Sequence, residues 1–100
     1  MSLSSEEREA VVNIRLQQAK ETYAEVSTQI EHGFWRTAVN RLYYACYYAT
    51  TALMIKNGHQ AHTHSGLIGL LGIHFVKTNI MSDEMGFVLR SLFELRQKSD

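Results

Sequence analysis

Proline is absent from this 100-residue sequence, and cysteine occurs once. Without a residue that lacks a backbone N–H, helix ends must be set by glycine and polar loops. A lone Cys46 excludes a disulfide framework within the chain. It fits a reducing, cytoplasmic compartment. Excess charge is also missing: ten basic and ten acidic residues give a formal net charge of zero. That excludes the broad basic footprint of many nucleic-acid-binding domains, but not a small local basic site. No apolar run reaches the ~18 residues that suggest a membrane-spanning helix, so no membrane partner is expected. The start SLSSEEREA is polar, and no signal peptide is expected. No convincing period-two alternation bounded by turn residues is present, which argues against strands.

What is present is helical periodicity. One hundred residues fit one domain, 1–100, with a core modest enough for dimerisation to matter to stability. The chain is organised around 34–57, FWRTAVNRLYYACYYATTALMIKN, the longest stretch without a breaker and the richest in aromatics. At 100° per residue, Phe34, Ala38, Leu42, Ala45, Ala49, Ala52 and Leu53 share one side, which is the expected core face. Tyr44 and Tyr48 fall on a flank with Arg41 at its border. The alanines are expected to let helices one and four approach closely.

A first helix is expected over 5–31, opened by serine with glutamate in the first turn. Its apolar stripe is Val12, Leu16, Ala19, Tyr23, Val26 and Ile30. Arg8, Arg15, Gln18, Glu21, Glu25 and Gln29 make the solvated face. Gly33 suits a helix end, so helices one and two form an antiparallel hairpin. Asn57-Gly58 ends the second helix, and a polar loop from His59 to His64 follows. The third helix spans 65–77. Gly66, Gly69 and Gly72 recur in it, which implies close backbone approach to a neighbour or a partly irregular element. The fourth, over 83–98, opens at Ser82-Asp83-Glu84. Its stripe Met85, Leu89, Leu92 leads to Arg96, which puts a charge on the inner face. No stop signal precedes Asp100, so the native chain is expected to continue.

Three groups of residues can carry chemistry. Arg41, Tyr44 and Tyr48 align at i, i+3, i+7. A guanidinium for phosphate beside rings for stacking makes a ligand-binding site. The same spacing also suits cation–π contacts and an internal ion pair. Arg96 and Asp100, four apart, can pair along a helix or belong to a site. His59, His62 and His64 crowd one loop, but no cysteine or carboxylate there completes a metal site, and none is expected. His64 beside a helix start can act as a base or a phosphate contact. Cys46 among alanines and tyrosines reads as a packed thiol. Gly66-Leu67-Ile68-Gly69 matches the GXXG of KH domains only superficially, since it lacks basic residues and strands around it.

The run Ala38-Val39-Asn40-Arg41-Leu42-Tyr43-Tyr44-Ala45 resembles the A-x-S-R-x-Y-Y-A signature of HEPN domains, closest to the small uncharacterised prokaryotic branch. His62-Thr63-His64-Ser65-Gly66 resembles that family's T/S-H-S-G turn, and Leu95 to Asp100 its terminal R-x-x-x-D. The resemblance implies an all-α, up-and-down four-helix bundle, with a fifth helix beyond Asp100 in some arrangements, usually homodimeric. It also implies a nucleotide- or RNA-binding protein, often paired with a minimal nucleotidyltransferase as toxin and antitoxin. Active HEPN ribonucleases use R-x(4–6)-H. Arg96 matches the arginine, while the histidine position falls near Asp100, and no histidine stands there. The candidate catalytic set is therefore Arg96, Asp100 and His64, and the candidate ligand-binding set is Arg41, Tyr44 and Tyr48. No cofactor is expected. A metal-independent endoribonuclease and a purely structural, partner-binding bundle stand as the alternatives, and the sequence does not decide whether the chain is an enzyme.

Overall fold

A computed structural model describes residues 3–59, 64–79 and 82–99. Among them every regular element is helical. Helix α1 is Ser5–Glu31, α2 is Trp35–Lys56, α3 is His64–Leu71, and α4 is Asp83–Ser99. A single π-helical segment, Gly72–Val76, continues α3. The chain is an all-α bundle. Its 43 Å long axis matches the length of α1, about 40 Å for 27 residues.

Local chemistry sets the ends of the first two helices. Ser4 accepts from the Glu7 N–H at 3.1 Å, and the Glu7 carboxylate accepts from the Ser4 N–H at 2.9 Å. This reciprocal pair satisfies donors that a helix start leaves open. Those bonds also hold the Glu7 carboxyl below its ordinary value. At the other end Gly33 takes φ +73°. The Phe34 N–H then donates to Gln29 and the Gly33 N–H to Ile30, a paired closure that needs a left-handed residue. Gly58, at φ +80°, ends α2 in the same way, with His59 donating to Met54 and Gly58 to Ile55.

Helix α2 is buried along two opposite edges. Ala38, Ala45 and Ala52 recur every seven residues on one; Tyr43, Thr50 and Met54 lie on the other. Met54 joins Leu67, Leu71 and Phe75 in the core, and Tyr43 lies 6.3 Å from Phe93 of α4, ring centre to ring centre. The tyrosine edge therefore meets α3 and α4, and the alanine edge is turned to α1. This corrects the single core face expected from the periodicity. Phe34 is 55% exposed and Ala49 is exposed, although the wheel places both on the alanine side; α2 is a central helix with neighbours on two sides. The alanines serve α1 and not α4.

Two further expectations change. On α1 only Val12 and Thr22 are buried, while Leu16, Tyr23 and Ile30 stay exposed. Arg15, Gln18 and Gln29 are half-buried instead. One neighbour covers a narrower stripe than the periodicity offers. The third helix is not α-helical to Lys77: the Lys77 N–H donates to Gly72, five residues back, at 3.0 Å. Two of its glycines, Gly69 and Gly72, do not mark close approach, since a Cβ at either meets nothing within 4 Å. The close approach is at Gly86 of α4, where a Cβ would stand 2.8 Å from Val76 Cγ2. His59 is not a solvated loop residue either. Its ring stacks on His74 of the π segment, 3.9 Å between centres and 19° apart.

Candidate anion-binding site

The central helix places Asn40, Arg41, Tyr44 and Tyr48 along one flank between its two buried edges. Arg41 lies beside the Tyr44 ring, with Cζ 5.6 Å from its centre. Its guanidinium donates to Asn40 Oδ1 at 2.7 and 3.3 Å. Nη1 lies 3.7 Å from Glu25 Oε2 of α1, and both side chains are partly exposed. Glu25 and Arg41 are equidistant in sequence from Gly33, so the hairpin turn sets them opposite each other. That symmetry was the available signal for Glu25, which local spacing along one helix does not reveal.

From the other side, α4 delivers Arg96. Its Nη2 donates to Tyr44 Oη at 2.7 Å, and its Cζ lies 5.3 Å from the Tyr44 ring centre and 5.5 Å from that of Tyr43. Arg96 is half-buried, as its place on the apolar stripe of α4 requires. Two guanidinium groups carried by different helices thus meet at one tyrosine. Tyr48 extends the aromatic flank, 6.2 Å from Tyr44, with Tyr47 beside both.

Tyr43 was not among the expected site residues, yet it forms the floor. It is 4% exposed, packed between Tyr44, Tyr47 and Phe93. Burial pushes its phenol up to about 12, against the pull of the neighbouring Arg96 charge. It stays neutral at physiological pH and serves as a surface for the guanidinium. Burial likewise raises the Cys46 thiol, which makes it a poor nucleophile.

The remaining expected residues are placed less fully. His74, at the far end of the α3–π segment, reaches His59 at the end of α2, while Leu67 lines a small cavity with Tyr43, Tyr47 and Thr50. The first turn of α3, which begins at His64, therefore runs beside the middle of α2. The His64 side chain, His62 and Asp100 lie outside the described residues, and with them the Arg96–Asp100 pairing. Among the described residues no three histidine, cysteine or carboxylate groups are placed to share a metal ion.

The HEPN domain family model matches residues 12–100, and this span holds every residue of the cluster. The chain belongs to the HEPN domain family. A UPF0332 protein of Thermotoga maritima is 30% identical over 94 residues, covering 94% of this chain and 71% of its own length. "Putative toxin MJ0605" of Methanocaldococcus jannaschii is 28% identical over 95 residues, covering 95% of this chain and 68% of its own. A UPF0332 protein of Archaeoglobus fulgidus is 25% identical over 89 residues, 89% of this chain and 70% of its own. An R-x(4–6)-H spacing counted from Arg96 passes beyond Asp100, the last residue of the sequence. Asp100 stands near that histidine position without occupying it.

Proposed function

We propose that this HEPN chain binds the phosphates of RNA or a nucleotide at the Arg41–Tyr44–Arg96 cluster. It would act as the HEPN component of a toxin–antitoxin-type system, as a homodimer partnered by a minimal nucleotidyltransferase. The observation that carries the reading is the convergence of Arg41 and Arg96 on Tyr44. Two like charges held near one ring are eased by an anion between them, and guanidinium forks suit phosphate oxygens. The faces of Tyr44 and Tyr48 offer stacking that tolerates any base. The toxin name of the Methanocaldococcus relatives supports the system. Exposed Ile73, Phe87, Val88 and Leu95 support self-association.

The structural alternative reads both arginines as internal fastenings. The Arg41–Glu25 contact favours it, but a long, partly exposed pair is worth only ~0–1 kcal/mol and is readily given up to a phosphate. The discriminating measurement is fluorescence anisotropy of a short labelled single-stranded RNA, with ATP as competitor. Arg96→Ala and Arg41→Ala are each expected to weaken binding roughly tenfold, since a charge-assisted contact is worth ~1.5–3 kcal/mol. Affinity indifferent to both substitutions leaves the arginines structural. Cleavage of the same RNA in EDTA, lost in Arg96→Ala, would instead assign the endoribonuclease.

A further inference from the structure

Glu25 and Arg41, 3.7 Å apart, fix the register of the α1–α2 hairpin. Counting away from the turn in equal steps of three, seven and ten residues sets Thr22 opposite Tyr44, Gln18 opposite Tyr48 and Arg15 opposite Thr51. Such steps keep to one side of each helix. The two rows form one continuous lining that begins at the Arg41–Arg96 cluster and ends at Arg15, about 15 Å further along the helix axes. Among the described residues α1 and α4 do not pack on each other, so the flank of α2 between them is the floor of an open groove.

The far end of this groove holds a cation without a counter-charge. Arg15 Nη1 donates to the neutral Gln18 Oε1 at 2.9 Å, and among the described residues no carboxylate pairs with Arg15. Its Nε and the Thr51 Oγ1 are both buried without a hydrogen-bond partner, a costly state for polar groups. Arg15 is half-buried, so packing holds its guanidinium at the groove. Between the two ends the lining is neutral and aromatic, with the Tyr44 and Tyr48 ring centres 6.2 Å apart. Glu25 is the carboxylate of the near end, where it stands against Arg41.

We propose that the groove holds a single RNA strand lengthwise, with one phosphate at Arg41 and Arg96 and another at Arg15. This extends the phosphate site proposed above and rests on it: the ligand is an oligonucleotide and not a free nucleotide. A nucleoside triphosphate carries its charge at one end, so it meets one cationic end of the groove and leaves the other unmet. A stacked strand repeats its charge every ~3.4 Å, so about 15 Å takes roughly four nucleotide steps. Bases turned to the floor stack on Tyr44 and Tyr48. An acidic peptide would match the cations and leave the rings unused.

The test measures fluorescence anisotropy of a labelled RNA hexanucleotide and a labelled dinucleotide on the full chain. The hexanucleotide should bind wild type at least roughly tenfold more tightly. Arg15→Ala should weaken the hexanucleotide roughly tenfold. It should also flatten the log–log salt dependence by about 0.7, one phosphate contact fewer on a single strand. The dinucleotide, too short to reach Arg15, is the control that the Arg41–Arg96 end remains folded, and circular dichroism checks the helices. Equal wild-type affinity for the two RNAs, or a hexanucleotide affinity and salt slope unchanged in Arg15→Ala, overturns the strand and leaves the Arg41–Arg96 site standing. Loss of both RNAs in Arg15→Ala also overturns it, since Arg15 would then hold the fold. So does hexaglutamate that displaces the hexanucleotide as well as unlabelled RNA does. Wild type that binds neither RNA overturns the phosphate site along with the strand.

Discussion

The two buried edges of α2 solve the same problem in opposite ways. Toward α1 it presents Ala38, Ala45 and Ala52, small residues that let two long helices run closely side by side. Toward α3 and α4 it presents Tyr43, Thr50 and Met54, with Tyr47 packed against the same core. The alanine edge is repetitive, and its partner is adjacent in sequence. The tyrosine edge is irregular, and it reaches across the chain to Phe93 and Arg96. The polar cluster stands where these edges border one flank, so Arg41 is held through the hairpin and Arg96 through the long-range packing. Fold and site share the same helix but depend on different halves of it.

The most severe way to break this contrast is Met54→Ala. Met54 is 1% exposed and central to the Leu67–Leu71–Phe75 cluster. Its truncation should cost about 2–5 kcal/mol in denaturant unfolding, through lost transfer energy and a cavity. The reciprocal insult is Ala45→Leu on the edge that is already full. It should cost about 1–3 kcal/mol by overpacking. If the alanine edge were loosely covered, Ala45→Leu would instead be neutral or stabilising, and the stated difference between the edges would fall. In RNA anisotropy, Ala45→Leu should also disturb the Arg41 side of the site more than the Arg96 side.

A milder probe is alkaline pH. The Tyr43 phenol sits at about 12 in the folded chain, against an ordinary value of 10.0. Between these values the unfolded chain has lost that proton and the folded chain keeps it. The folded state then binds more protons, so stability falls as pH rises from about 10 to about 12. Phenolate absorbance should show a tyrosine that keeps its proton well above pH 10 and loses it near 12. Chemical denaturation of Tyr43→Phe should show a shallower loss over the same window. An identical slope in both proteins would mean that Tyr43 is not the buried phenol under the site.

How far the sequence foretold these edges follows from where each signal resides. Ser4 with Glu7, Gly33 and Gly58 are local devices, complete within a few residues, and the helix ends fall where they stand. Arg96 was legible because it broke a periodic apolar stripe, and it touches two rings of α2. The α1 face was misjudged because periodicity shows which residues are able to face a core. How many neighbours exist to cover Leu16, Tyr23 and Ile30 is a tertiary fact. The π segment is of the same kind: the Lys77-to-Gly72 bond accompanies the burial of Phe75 and the close contact of Val76 with Gly86. No local propensity encodes that combination. Tyr43 was overlooked for a related reason, since the wheel assigned the core to the alanine side alone.

The smallest expected effect is the most informative about the site. Glu25→Gln removes the carboxylate 3.7 Å from Arg41 Nη1 and leaves the Asn40 contacts in place. For a partly exposed pair of this length the stability change should be under ~1 kcal/mol. Both bordering edges of α2 would be unaltered, so the bundle should unfold as before. The local field, however, changes by one negative charge beside the guanidinium offered to phosphate. RNA affinity should rise by a few-fold at low salt, and the gain should shrink as salt screens the site. A weakened affinity would show that Glu25 holds Arg41 in the binding pose. The carboxylate would then be a positioning group contributed by α1, and the hairpin would share with the tyrosine edge the work of building the site.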